Sequence, residues 1–200
     1  EMEKASKYRG LGLSERTHDF SEVFLFFDYD AHQTNLGKSD DVDVINQMLE
    51  SFDNETENGK LYISYPMVEA LRDFEAGKCG NGDNCFVEIS DLAEYKNISS
   101  RNSLNPHFRD YNIDVWKEII DVFSMRISCL LGNAEVISYE QYLDEANPHD
   151  IFMCEQALAG NNKVFIISAF PEFLVDYFGM KLWRTCVKHA KNQLDICNCK

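Results

Sequence analysis

Short apolar runs alternate with polar stretches along this chain, and their periods predict strands and helices in alternation. Val23–Phe27 (VFLFF) is an unbroken apolar run rich in Phe. That is the pattern of a strand buried on both faces in a parallel sheet. It runs directly into Asp28-Tyr29-Asp30, and a polar loop, AHQTNLGKSD, follows. Asp40 and Asp41 then open a helix, in which Val44, Ile45, Met48, Leu49 and Phe52 recur at helical spacing. After the turn NETENG, Lys60–Ser64 (KLYIS) predicts a second strand, parallel to the first because a helix lies between them. Pro66 opens a helix through MVEALRDF, at a position where its missing N–H costs nothing.

Residues 76–86 read as a loop, and further helices are predicted over 111–131 and 138–158. Lys163–Ser168 (KVFIIS) predicts another strand, Pro171 opens a helix through EFLVDYFG, and Met180–Ile196 is helical again. The first twenty residues are polar, with a helix ended by Gly10 and Gly12. KLYISYPMVEALRDF and KVFIISAFPEFLVDYF share an order of strand, Ser, aromatic, Pro, acidic residue and apolar helix. This reads as one strand-to-helix turn used twice. The fold class expected is a single α/β domain over residues 1–200, with a mainly parallel central sheet flanked by helices and a helical C-terminal half.

Composition narrows the class. At 44% hydrophobic and 12% aromatic, 200 residues suffice for a sizeable core. No apolar run approaches the ~20 residues a membrane helix needs. Residues 1–10, EMEKASKYRG, hold no apolar signal-peptide segment, and the first residue is Glu, as in a trimmed chain or a fragment. The seven cysteines are scattered, with Cys129 and Cys154 in apolar surroundings, which points to a reducing cytoplasm rather than a disulfide scaffold. The formal net charge of −15 repels nucleic acid over most of the surface, so a nucleic-acid enzyme of this charge needs metal and a local basic patch. Lys181, Arg184, Lys188 and Lys191, three or four residues apart, supply such a stripe on the predicted last helix.

The chemistry-bearing residues gather at predicted strand ends. Open α/β sheets bind ligands at the carboxyl ends of their strands, where Asp28 and Asp30 fall. Two carboxylates one residue apart suit a hard divalent ion, Mg²⁺ or Mn²⁺. Glu69, in the first turn of the helix after the second strand, is a third candidate ligand; the simpler role of an acid there is to complement the helix dipole. His32, two residues after Asp30, is a candidate ligand or general base, and more simply an exposed loop residue. Cys197-Asn-Cys199 with Cys186 and His189 lacks the usual zinc spacing and reads as a tail.

A buried strand ending in Asp28-Tyr-Asp30, then a helix, then a strand leading into Ser64-Tyr-Pro66-Met-Val-Glu69 resembles the Toprim fold over about residues 20–75. It is most similar to the OLD-type and RloB-like Toprim proteins of bacterial defence and abortive infection. The resemblance implies Mg²⁺-dependent phosphodiester cleavage or nucleic-acid binding, with Asp28, Asp30 and Glu69 catalytic and Asp28 and Asp30 on the metal. Ser64, Lys181, Arg184 and Lys188 would contact substrate, and a partner protein of a defence system is implied. Toprim nucleases also use a Glu at the end of an earlier strand, and neither Glu1, Glu3 nor Glu15 follows an apolar run. A second resemblance, to haloacid-dehalogenase-like phosphatases, makes Asp28 a nucleophile, Asp30 the acid/base and Ser64 a phosphate ligand. The third reading is a non-catalytic interaction module.

Overall fold

The computed structural model describes residues 21–29, 39–74, 85–102 and 107–188. The expectations for residues 1–20, for most of the 76–86 loop, and for Asp30, His32, His189, Lys191, Cys197 and Cys199 fall outside them. In chain order the elements are β1 (Phe24–Asp28), α1 (Ser39–Ser51), β2 (Asp53–Asn54), β3 (Gly59–Ser64), β4 (Phe86–Glu88), α2 (Leu92–Asn102), α3 (Ile113–Leu130), α4 (Tyr139–Glu145), α5 (Pro148–Ala159), β5 (Lys163–Phe165) and α6 (Ala169–Cys186). The architecture is α/β with a helical C-terminal half.

The expected mainly parallel central sheet is replaced by two small sheets. One has the order β1-β3-β2, with β1 parallel and β2 antiparallel to β3; the other pairs β4 with β5 antiparallel. Gly59, at φ +105°, makes the turn into β3, and a Cβ there would lie 3.3 Å from the Val23 side chain. The sheets meet where Tyr65 N–H donates to Ile167 O (2.7 Å) and Ile167 N–H donates to Tyr65 O (2.9 Å).

β1 is not the doubly buried strand its composition predicts. Among the described residues it is an edge strand of this sheet, with Phe26 39% and Phe27 47% exposed. One of its faces packs on α6 through rings: Phe24 lies 4.8 Å from Phe173, and Phe26 stacks on Phe170 at 5.0 Å. Leu25, on the opposite face, joins Ile45, Met48, Leu49 and Phe52 of the α1 region and Phe152 of α5 in the main core.

Local chemistry explains the helices that differ from expectation. The 138–158 stretch splits into α4 and α5 because Asn147-Pro148 restarts the chain. Asn147 Oδ1 accepts from the N–H groups of His149 and Asp150, and Pro148 takes the first turn. Ser138 and Gln141 form a reciprocal capping box at α4. After the cis Tyr65-Pro66 bond the predicted helix is only a 3₁₀ turn, Val68–Arg72, whereas Ser168 caps the eighteen-residue α6. The repeated strand-Ser-Pro pattern therefore leads to two unlike turns. Gly179, at φ 65°, kinks α6, and the helix ends at Cys186 with Val187 extended; the expected helix beyond Lys188 lies outside the described residues. β4 and α2 arise from sequence without a strong period.

The core also holds carboxyl groups. Glu155 is 0% exposed; its Oε2 accepts from Phe165 N–H at 2.9 Å, tying α5 to β5, while Oε1 has no hydrogen-bond partner. Glu172 is 1% exposed and its Oε1 is likewise unpartnered. Burial drives both well above the ordinary carboxyl value of 4.5, and neighbouring Asp176 raises Glu172 further. A carboxyl whose folded pKa is raised contributes its full stability below the unfolded value and loses it as pH climbs toward the folded one. Urea denaturation as a function of pH is therefore expected to show stability falling from about pH 4.5 upward. Glu172→Gln is expected to flatten that fall, and an unchanged pH dependence in both Glu155→Gln and Glu172→Gln would exclude these groups as its source.

Candidate functional site

The carboxyl edge of β1 and β3 brings two of the expected residues side by side. Asp28 ends β1 in register with Ser64 at the end of β3. Tyr29 N–H donates to Ser64 O at 2.9 Å, and the Tyr29 ring turns inward onto Tyr65, 5.0 Å between centroids. Turning Tyr29 into the core leaves Asp28 exposed at the strand end.

Ser64 is 3% exposed, and its Oγ accepts from Ala169 N–H at 3.2 Å, at the start of α6. Its hydroxyl oxygen thus ties β3 to α6 from a buried position. Glu69 lies in the 3₁₀ turn, 7% exposed, with Oε1 3.2 Å from Lys96 Nζ of α2. Its carboxylate is turned to a lysine. Among the described residues, no three His, Cys, Asp or Glu side chains are grouped to share a metal ion.

Beside Ser64 on the same edge, the chain between β5 and α6 meets residues not flagged by sequence. Arg126 of α3 is 4% exposed; its Nη1 donates to Ile166 O at 2.9 Å and its Nη2 lies 3.8 Å from Asp73 Oδ1. Tyr95 OH donates to Asp73 Oδ2 at 3.4 Å, and burial with the Asp73 charge pushes that phenol well above its ordinary pKa, so it remains a donor. Asp73, Arg126 and Ser168 line a small cavity of about 20 Å³ with Phe74, Ile119 and Pro171. That space holds about one water molecule. A signal existed: Arg126 is the lone charge in the apolar run VFSMRISCLL, and a cation inside such a helix needs a partner.

The expected basic stripe is broken. Lys181 and Arg184 are exposed on α6, but Lys188 lies past the helix end. There its backbone N–H donates to Asp121 Oδ1 at 2.8 Å, and its Nζ stands 3.4 Å from Asp121 Oδ2. Lys188 therefore fastens the end of α6 to α3.

No described helix is long and apolar enough to cross a membrane. The class these features define is an α/β chain with an exposed aspartate at a parallel strand end and a buried Asp–Arg pair behind it. No family model, curated protein or solved structure matches the chain.

Arg126 supports the edge through both Ile166 O and Asp73. Arg126→Met is expected to destabilise the fold by about 3–5 kcal/mol in urea denaturation, the cost of leaving a buried carboxylate without its cation. Adding Asp73→Asn to Arg126→Met is expected to recover part of that loss. A purely additive double variant would show that the two residues do not act as a pair.

Proposed function

We propose that the chain cleaves phosphodiesters with Mg²⁺ at the carboxyl edge of β1, as a Toprim-like domain of a bacterial defence protein, with Asp28 and Asp30 as the metal carboxylates. The observation that carries this reading is the parallel register of β1 and β3, with exposed Asp28 beside Ser64 at their shared carboxyl edge. Mg²⁺ is commonly held by one or two carboxylates and keeps its other positions for water and substrate phosphates. A carboxylate reachable from solvent, followed two residues on by a second Asp, fits that demand. When bound, the ion would neutralise charge on a phosphoryl oxygen and acidify a bound water.

The protein's own residues have separate tasks in this reading. Asp28 binds the ion. Ser64 fixes the edge through Ala169 and acts as a positioning residue rather than a substrate ligand. Glu69, paired with Lys96, holds the 3₁₀ turn that borders the edge. Lys181 and Arg184 are exposed but lie beyond the Gly179 kink, toward the end of α6 away from Ala169, so they would meet nucleic acid outside the metal edge; the net charge of −15 makes that approach dependent on metal and salt.

One observation favours the reading as an interaction module: among the described residues β1 is an edge strand with partly exposed Phe26 and Phe27, a surface suited to another chain. The phosphatase reading has weaker support, since it needs the Ser64 hydroxyl on substrate phosphate.

The full chain incubated with supercoiled DNA and with RNA in Mg²⁺, Mn²⁺ or chelator separates these readings. Metal-dependent nicking that falls to background in Asp28→Asn is expected. Mg²⁺ at about 100 times its Kd is expected to stabilise the unsubstituted protein by ~2.7 kcal/mol, and Asp28→Asn to lose that gain. Intact nucleic acid, with melting indifferent to metal and to Asp28→Asn, selects the interaction module.

A further inference from the structure

Two spaces among the described residues differ in what lines them. The groove between α3 and α6, about 410 Å³, has an apolar lining apart from Lys117, whose ammonium already pairs with Asp114 at 3.1 Å. Its walls select no ligand. The cavity of about 20 Å³ behind the carboxyl edge is far smaller, but its lining carries three polar side chains, Asp73, Arg126 and Ser168.

Arg126 is satisfied on one side only. Its Nη1 donates to Ile166 O at 2.9 Å, whereas Nε and Nη2 make no hydrogen bond, although the residue is 4% exposed. Nη2 stands 3.8 Å from Asp73 Oδ1, past the ~3.2 Å limit of an N–H···O hydrogen bond. A buried donor without an acceptor carries the full cost of its lost hydration, so native interiors leave few of them. Polar groups more than ~3.5 Å apart are often joined by a water between them.

Size and charge select the guest. A water needs about 10–15 Å³ of such space and about two to four polar partners. The cavity exceeds that volume by little, and walls from Phe74, Ile119, Val122 and Pro171 stop anything larger. The guanidinium and the Asp73 carboxylate cancel one another's charge. A halide would be drawn to Arg126 and repelled by Asp73, and a small cation would meet the reverse. A neutral molecule that accepts from one and donates to the other meets neither penalty. Tyr95 OH donates to Asp73 Oδ2 at 3.4 Å, and Oδ1 is the oxygen on the Arg126 side. Ser168, 6% exposed, brings a hydroxyl to the same cavity.

We propose that this cavity is the binding site of a single ordered water, which accepts from Arg126 Nη2 and donates to Asp73 Oδ1, with the Ser168 hydroxyl as its third partner. The Arg126–Asp73 pair is thereby bridged. The water ties α3 both to the residue that closes the 3₁₀ turn and to the cap of α6. This site uses neither Asp28 nor a metal and stands or falls independently of the phosphodiesterase reading.

A crystal structure of the full chain, at a resolution that orders buried solvent, is expected to show one peak within hydrogen-bond reach of both Arg126 Nη2 and Asp73 Oδ1. Crystals grown with bromide are expected to show no anomalous signal there. In solution, magnetisation transfer from slowly exchanging water to the Ile119 methyl groups is expected. Val122→Ile adds one methylene to the cavity wall and is expected to remove both the peak and the transfer. If Val122→Ile does not fold, Arg126→Met with Asp73→Leu serves; it removes two polar partners, and an apolar cavity stays dry. A dry cavity in the unsubstituted protein, a direct Nη2–Oδ1 hydrogen bond, an anomalous bromide peak, or a water untouched by the variants overturns the proposal.

Discussion

The backbone exchange between Tyr65 and Ile167 holds the two halves of the molecule in one frame. It is the point at which the β1-β3-β2 sheet meets the β4-β5 pair. Neither sheet is large enough to stand alone, since one has a two-residue third strand and the other has strands of three residues. Buried backbone N–H and C=O groups must nevertheless be satisfied. The segment around β5 does this with partners from several elements: Glu155 takes Phe165 N–H, Cys85 O takes Ile166 N–H, Arg126 gives to Ile166 O, and Tyr65 exchanges both bonds with Ile167. A short strand becomes central by being held from several sides.

That arrangement brings charge into the core. Arg126, Glu155 and Glu172 are each nine-tenths buried or more, and isolated buried charge is costly. The carboxyls respond by staying protonated to higher pH, while Arg126 keeps Asp73 close. Tied at Ala169 by Ser64, at Asp176 by Lys60 and Tyr62, and past its end at Lys188 by Asp121, α6 joins the strand edge to α3. Its first turns pack against the strand ends, and its outer side completes the apolar groove.

Two exposed features of the described residues differ in physical character. The carboxyl edge of β1 offers an exposed acidic side chain at a strand end, beside the buried contacts of Ser64 and Tyr29. The α3–α6 groove offers apolar area with a single cation.

Much of the fold was legible along the chain. β1, α1, β3, α3 and α6 follow from apolar period, caps and Pro positions, all local properties. The position of Asp28 at a strand end was legible for the same reason. The exposure of β1, the mixed sheets, the turning of Ser64 and Glu69 to Ala169 and Lys96, and the Arg126–Asp73 pair were not. Each depends on which elements become neighbours, and VFLFF reads alike at a sheet's edge or its centre. The sequence by itself determined the elements and the acidic strand end, because those rest on residues adjacent in the chain. Only the tertiary structure decided which side chains face water, which are held by partners, and where a groove remains, because burial is a property of packed elements and not of any one of them.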